Sequence, residues 1–193
     1  MKLIRLFLII SIIVFANVTP AFATYHQGDA VYRDPAYQWW HAAISETPNI
    51  QNPGDLVIQA GGLGTLVDTA TWTTFLGNGT FVNPAQYKYG MTYDDSQKVL
   101  NMARYFALSR DIPYTLYYLM EYNGYSGSYI YRENVSKLRC DGLVEYCYEW
   151  YNFPVQTDVN GNWDISNINS VNYHQIAYGM SPITQWTAMD PHY

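Results

Sequence analysis

The chain has 193 residues, of which 10 are Lys or Arg and 16 are Asp or Glu, so its formal net charge is −6. This acidic balance argues against nucleic acid and anionic membranes as partners and is compatible with neutral or cationic ligands. Aromatic residues make up 17% of the chain. Such richness is common where proteins hold glycans or peptides, and it equally fits a secreted protein built from aromatic strands.

The N-terminus has the three-part layout of a secretory signal peptide. Two basic residues, Lys2 and Arg5, precede an almost wholly apolar run over residues 6–16, and a small-residue cleavage site ends at Ala23. The apolar run is shorter than the roughly 20 residues that a membrane-spanning helix needs. We therefore expect a secreted or periplasmic monomer with one domain over residues 24–193 and no membrane anchor after cleavage.

The first half of this domain has the pattern of strands separated by turns. Five segments show the apolar alternation, β-branched residues or flanking turn residues that are typical of strands. These segments are residues 28–33, 38–45, 56–60, 65–75 and 79–82.

The second half changes to helical spacing. Apolar residues at this spacing predict a helix over residues 95–109, and residues 116–122 are predicted to form a short helix. Residues 155–193 are rich in Asn, Gly and Ser, with short strand-like pieces, and predict irregular structure wrapping the domain. Strands followed by helices indicate the α+β fold class.

Cys140 is predicted to begin a helix, because apolar residues recur at helical spacing over residues 143–150. Cys147 then lies seven residues along this helix, roughly 10 Å away, whereas a disulfide needs Cα atoms within about 7 Å. Both cysteines are therefore expected to be unpaired, and an exported protein with a free thiol commonly uses it. The N–H groups of a helix start stabilise a thiolate and an oxyanion, and Arg139 adds positive charge.

A cysteine nucleophile needs a base, usually His, and a group that orients the imidazole. His41 and Gln59 lie on neighbouring predicted strands, which can bring both side chains to one face. A Gln carbonyl accepts a hydrogen bond from an imidazole N–H. His174, which follows Cys140 in the chain, is an alternative base. No residues recur at metal-ligand spacing, so neither a metal nor another cofactor is expected.

Several motifs together resemble those of the NlpC-type papain-like cysteine peptidases. Their Asp-Cys-Ser-Gly-Leu-Val motif is similar to Arg139-Cys140-Asp141-Gly142-Leu143-Val144. Their Gly-Asp turn, His-Val-Gly-Ile strand, Ile-His-Ala strand and Pro-Tyr pair are similar to Gly28-Asp29, His41-Ala42-Ala43-Ile44, Ile58-Gln59-Ala60 and Pro113-Tyr114. The order, with His41 and Gln59 before the cysteine, resembles the circularly permuted branch of the family, which includes the lecithin–retinol acyltransferase-like enzymes.

This resemblance implies a permuted papain-like fold, in which a small antiparallel sheet packs against the helix that carries the cysteine. It also implies Cys140 as nucleophile, His41 as base and later acid, and Gln59 as the orienting residue. Tyr114 and Asp141 are expected beside the substrate and its oxyanion. Asp141 replaces the family's Ser, and unless it points away its carboxylate is expected to raise the pKa of the thiol.

The function expected from the resemblance is cleavage of amide bonds by a Cys-His-Gln triad, with peptidoglycan or another peptide as substrate. Two alternatives remain open. One is a lipid acyl hydrolase or acyltransferase of the permuted branch. The other is a non-catalytic cell-wall-binding module, for which Asp141 and the aromatic richness argue.

Overall fold

The computed structural model describes residues 25–36, 39–109, 111–155, 164–170 and 181–191. The predicted signal peptide and His174 lie outside these residues. The strands are β1 (Ala30–Ala36), β2 (Trp39–Ser45), β3 (Leu56–Ala60), β4 (Val67–Thr71), β5 (Gln86–Tyr87), β6 (Met120–Tyr122), β7 (Val135–Leu138) and β8 (Asp190–Pro191). The helices are α1 (Trp72–Leu76), α2 (Tyr93–Ser109), α3 (Cys140–Glu149) and α4 (Pro182–Ala188).

Six of the described strands form one antiparallel sheet in the order β4-β3-β2-β1-β5-β8. Strands β6 and β7 form a separate antiparallel pair. Arg33 of β1 lies opposite His41 of β2, and Ala43 of β2 lies opposite Gln59 of β3. The fold is therefore a mixed α+β architecture, and the predicted placing of His41 and Gln59 on neighbouring antiparallel strands is confirmed.

The sheet separates two apolar cores, because successive side chains of a strand point to opposite faces. Ala42, Ile44 and Ile58 belong to the larger core, which also contains the buried faces of α2 and α3. On the other face, Ala43 and Val57 belong to a smaller core with side chains of α1. Helix α3 therefore packs against the centre of the sheet through the larger core.

Helix α3 runs through the interior, and every residue from Cys140 to Glu149 is buried. The Tyr148 hydroxyl donates to the Gly28 carbonyl (2.8 Å) and accepts from the Ala30 N–H (3.1 Å), so α3 is tied to the turn before β1. Cys140 and Cys147 are both free. The predicted helix start at Cys140 and the absence of a disulfide between the two cysteines are confirmed.

Helix α4 is bound to the first turn of α3 through one buried side chain. The Gln185 amide donates to the Asp141 carbonyl (2.9 Å) and to the Glu145 carboxylate (3.1 Å). Its carbonyl oxygen accepts from the Tyr32 hydroxyl (2.9 Å). The Ser181 and Thr184 side chains form a capping box that begins α4. Irregular structure was the expectation over residues 155–193, and for residues 182–188 it is wrong.

Three further local predictions are wrong. The segment predicted as a helix over residues 116–122 contains β6 instead, because Met120–Tyr122 pairs with β7, which lies beyond any local periodicity. The strand predicted over residues 65–75 ends at Thr71, whose hydroxyl accepts the Thr74 N–H (3.2 Å) and caps α1. Residues 79–82 form no strand and contribute a single bridge through Phe81.

Candidate functional site

The start of α3 opens onto a cleft of about 440 Å³ between the sheet and the segments before α3 and α4. Three of the predicted site residues, His41, Tyr114 and Cys140, line this cleft together with Arg33 and Arg139. Gln59 and Asp141 are not in its lining and lie behind it. Among these five lining residues the largest separation in the chain is 107 positions, from Arg33 to Cys140.

Cys140 reaches the sheet where β2 has no partner on one side. Strand β3 pairs with β2 over Ala43–Ser45, so the backbone before Ala43 is available to the start of α3. The N–H groups of Ala42 and Asp141 both donate hydrogen bonds to the Cys140 side chain, and these bonds favour the thiolate. The helix start and the free part of β2 thus hold the sulfur from two sides.

The thiol is nevertheless protonated at neutral pH. Burial, with only 3% of the residue exposed, and the Asp141 carboxylate raise the pKa of Cys140 to about 12. The Ala42 N–H, the positive charge of Arg139 and the Asp141 N–H act in the opposite direction. The expected effect of Asp141 on the pKa is confirmed in direction, but burial is the larger cause.

Asp141 is fully buried and turned toward Arg139. The Arg139 Nε and Nη2 donate to the two carboxylate oxygens over 2.6 and 2.9 Å. The Gly142 N–H also donates to Oδ1 (3.1 Å). This bidentate ion pair fixes the residue before the nucleophile candidate. At the thiol, the positive charge of Arg139 opposes the larger effect of the Asp141 carboxylate.

His41 is oriented by a chain of hydrogen bonds that runs across three strands. His41 Nε2 and Gln59 Oε1 are 2.9 Å apart, and the Gln59 side chain also bonds the Asp68 carboxylate, opposite it in β4. An ionised carboxylate only accepts hydrogen bonds, so the Gln59 amide N–H faces Asp68 and its carbonyl faces His41. His41 therefore carries its proton on Nε2 and keeps a lone pair on Nδ1.

The surroundings keep His41 neutral. Its imidazole is 6% exposed and lies 5.4 Å from the Phe75 ring, centroid to centroid. Burial lowers the pKa of His41 to about 4, the bond to Gln59 offsets part of this effect, and the charge of Arg33 lowers the pKa further. At neutral pH the ring is a free base.

Tyr114 supplies a hydroxyl next to the sulfur. Its side chain is hydrogen-bonded to Cys140, and burial followed by the charge of Cys140 holds the pKa of this phenol well above its usual range. The Tyr114 N–H donates to the Thr65 carbonyl (3.0 Å), which fixes the backbone at this point. Tyr114 is thus a hydrogen-bond donor that remains protonated beside the thiol.

Two polar residues of the site were missed in the sequence analysis. The sequence does contain a signal for Asp68. It lies opposite Gln59 in β4, and the alternation of side chains on two adjacent strands could have indicated this position. The sequence signal for Arg33 was weaker: it is a charged residue inside a predicted strand. Only the register of β1 with β2 places it opposite His41.

The low pKa of His41 predicts how pH acts on folding. Between pH 4 and 6.5 the unfolded chain binds a proton at His41 that the folded protein does not bind. The contribution of His41 to the free energy of unfolding should therefore fall by up to about 3 kcal/mol as the pH drops through this window, while the raised pKa of the buried Glu149 carboxyl acts in the opposite direction. Urea unfolding at several pH values measures it, and His41→Asn should remove most of this slope. Equal slopes in the two proteins would contradict the assigned pKa.

Gln59→Glu gives a second measurement of the same group. A carboxylate in place of the amide carbonyl, 2.9 Å from Nε2, stabilises the imidazolium. The His41 pKa should rise from about 4 toward its ordinary value. Proton NMR titration of the imidazole C2–H reports the change. The measurement is made in an Asp68→Asn background, which removes the second carboxylate beside the new one, and an unaltered midpoint there would show that Gln59 does not contact the ring in solution.

Among the described residues, no group of three or more His, Cys, Asp and Glu side chains is arranged to hold a metal ion. Within the same part of the chain, none of the helices combines the length and apolar character needed to cross a bilayer. Comparison of the sequence with models of protein families, with curated proteins and with solved structures finds no match.

Proposed function

We propose that this protein is a secreted thiol hydrolase that cleaves an amide bond, with Cys140 as nucleophile and His41 as base. The observation that carries the proposal is the hydrogen-bond chain from Asp68 through Gln59 to His41 Nε2, beside the cleft that Cys140 lines. This chain leaves Nδ1 as the basic nitrogen, which is the protonation state that a general base requires.

The permuted papain-like fold is part of the same proposal. A cysteine at the start of a helix, packed on an antiparallel sheet whose earlier strands carry the histidine and its partner, supports it. The resemblance of the motifs around Gly28-Asp29, His41, Gln59, Pro113-Tyr114 and Cys140 to those of the NlpC-type peptidases supports it further. Peptides of the bacterial cell wall are the proposed substrates, in keeping with the signal-peptide pattern.

Acylation would start from a neutral thiol and a neutral imidazole. His41 takes the proton of Cys140 as the sulfur attacks the carbonyl carbon, the new C–S bond forms, and the carbonyl electron pair moves onto oxygen. Hydrogen bonds from the Tyr114 hydroxyl and from N–H groups at the start of α3 stabilise this oxyanion. The C–N bond then breaks, and His41 returns the proton to the departing amine, which leaves a thioester.

Deacylation repeats the proton transfers with water. His41 takes a proton from a water molecule as its oxygen attacks the thioester carbon, and the second oxyanion forms in the same position. The C–S bond breaks, the sulfur takes the proton back from His41, and a carboxylic acid leaves. Because the thiol pKa is about 12, proton transfer to His41 has to accompany the attack rather than precede it.

The test is hydrolysis of purified peptidoglycan fragments and of a generic thioester by Cys140→Ala and His41→Ala. His41→Ala should lower kcat by about 10²- to 10⁴-fold, and Cys140→Ala should abolish turnover. Cys147→Ala is the matched control, because this second buried cysteine lies on the same helix and is not in the cleft lining. Unchanged hydrolysis in both site variants would end the proposal.

A non-catalytic cell-wall-binding module is the second candidate, and the high pKa of Cys140 favours it. Alkylation by iodoacetamide at neutral pH distinguishes the two. A thiol that resists alkylation, in a protein that still sediments with cell walls and hydrolyses nothing, would identify the binding module. Rapid alkylation of Cys140 that His41→Ala slows would support the hydrolase.

A further inference from the structure

The cleft contains an arginine, Arg33, that forms no ion pair with another described residue. Nε and Nη1 of Arg33 are buried and have no hydrogen-bond partner among the described residues. Arg33 lines the cleft with Cys140 and lies opposite His41 in the β1–β2 register. Buried donors nearly always have a partner, and an unsatisfied charged group costs more free energy than a neutral one. Because Arg33 also lines the cleft, an anion bound there would meet a guanidinium that no carboxylate of the described residues holds in an ion pair.

The neighbouring charges do not fill this role. Arg139, the other arginine of the cleft lining, is fully engaged by Asp141 through two hydrogen bonds. Asp34, next to Arg33 in the chain, instead accepts the Thr80 N–H (2.6 Å). Of the two guanidinium groups at the cleft, one is thus hydrogen-bonded to a carboxylate of the protein, whereas the charge of Asp34 acts on the other without an ion pair.

We propose that Arg33 binds a carboxylate of the substrate within about one residue of the bond that Cys140 attacks. A guanidinium recognises planar carboxylates through paired hydrogen bonds. Residues directly opposite in an antiparallel pair have Cα atoms about 5 Å apart, so a carboxylate held by Arg33 lies close to His41. The substrate class is then an acidic peptide, with a free carboxylate beside the scissile amide. This inference rests on the proposed function for its catalytic part.

The test compares matched peptides that carry the carboxylate on either side of the scissile bond. One pair is an N-acetyl dipeptide with its C-terminal acid or amide, and the other has Asp or Asn before the scissile bond. The wild-type protein should prefer the acid of at least one pair by tenfold or more in kcat/KM. Arg33→Met should abolish this preference mainly through KM. Because the charge of Arg33 also lowers the pKa of His41, the readout is the ratio of kcat/KM for the acid to that for its neutral partner.

A binding measurement separates this inference from the proposed function. Calorimetry with the preferred acid and Cys140→Ala, which cannot turn it over, should show binding that Arg33→Met in the same background weakens at least tenfold. Arg33-dependent binding without any hydrolysis by the wild type would retain the inference and overturn the hydrolase proposal. Hydrolysis that requires Cys140 but shows equal rates for acid and neutral peptides would retain the hydrolase proposal and overturn the inference.

Two further variants guard against effects on the fold or on the thiol. Arg33→Lys keeps the charge and should retain part of the preference, whereas Arg132→Met, at a half-exposed arginine paired with Glu133, should change nothing. If Arg33→Met lowers turnover of acid and neutral peptides equally, Arg33 acts on the cysteine and histidine rather than on the substrate, and the inference is wrong.

Discussion

Replacing Gly142 with Ala is expected to lower the free energy of unfolding by about 3 kcal/mol or more. A Cβ at this position would lie 1.8 Å from the Leu119 carbonyl oxygen, far inside van der Waals contact. That carbonyl cannot easily withdraw, because it accepts the Arg139 N–H over 3.0 Å. Relief of the clash therefore has to move the first turn of α3, and with it Cys140.

Urea unfolding followed by circular dichroism measures this effect. Gly54→Ala is the control, because a Cβ there meets nothing within 4 Å and the residue is exposed. The free energy of unfolding of Gly54→Ala should stay within about 0.5 kcal/mol of the wild-type value. If Gly142→Ala unfolds at the same urea concentration as Gly54→Ala, the packing of α3 against the segment before β6 is not the one described above.

Asp141→Asn is expected to make the thiol more acidic and the protein less stable. The change removes the carboxylate that raises the pKa of Cys140, and it releases the positive charge of Arg139, which lowers that pKa. Alkylation by iodoacetamide at pH 8 should become about tenfold faster, the equivalent of one pKa unit. Because Asp141 is fully buried and the Arg139 side chain is 19% exposed, loss of the pair should cost about 3 kcal/mol of stability.

Arg139→Met supplies a control of opposite sign for the thiol. It also breaks the ion pair and should also destabilise the fold, but it leaves the Asp141 charge uncompensated beside Cys140. Alkylation should then become slower than in the wild-type protein. If both variants shift the alkylation rate in the same direction, the rate reports loosening of the fold, and the electrostatic account of the pKa is wrong.

The parts of the site that could be predicted from sequence depend on local patterns. Cys140 begins α3 because apolar residues follow it at helical spacing, and His41 and Gln59 lie on consecutive strands joined by the connection over residues 46–55. The pairing of two strands close in sequence sets which side chains share a face, so the bond between His41 and Gln59 followed from the alternation.

The remaining parts depend on contacts between distant segments. Met120–Tyr122 is a strand only because β7 lies beside it. The burial that dominates the pKa of Cys140 comes from the sheet and from elements far along the chain, so the motif around the cysteine indicated the effect of Asp141 but not the larger one. The lack of an ion pair at Arg33 depends on the partners that neighbouring carboxylates take in distant segments, as Asp34 does with the Thr80 N–H.

The bond between α4 and α3 has a consequence for the order of events during synthesis. Gln185 completes the hydrogen bonds at the first turn of α3 and is fully buried, yet it lies 45 residues after Cys140. A nascent chain that emerges from its N-terminus holds His41, Gln59 and Cys140 long before Gln185 is available. The first turn of α3 and the cleft beside it therefore reach their final form only after Gln185 has been made, so a product truncated before Gln185 would carry the cysteine and the histidine without the finished cleft.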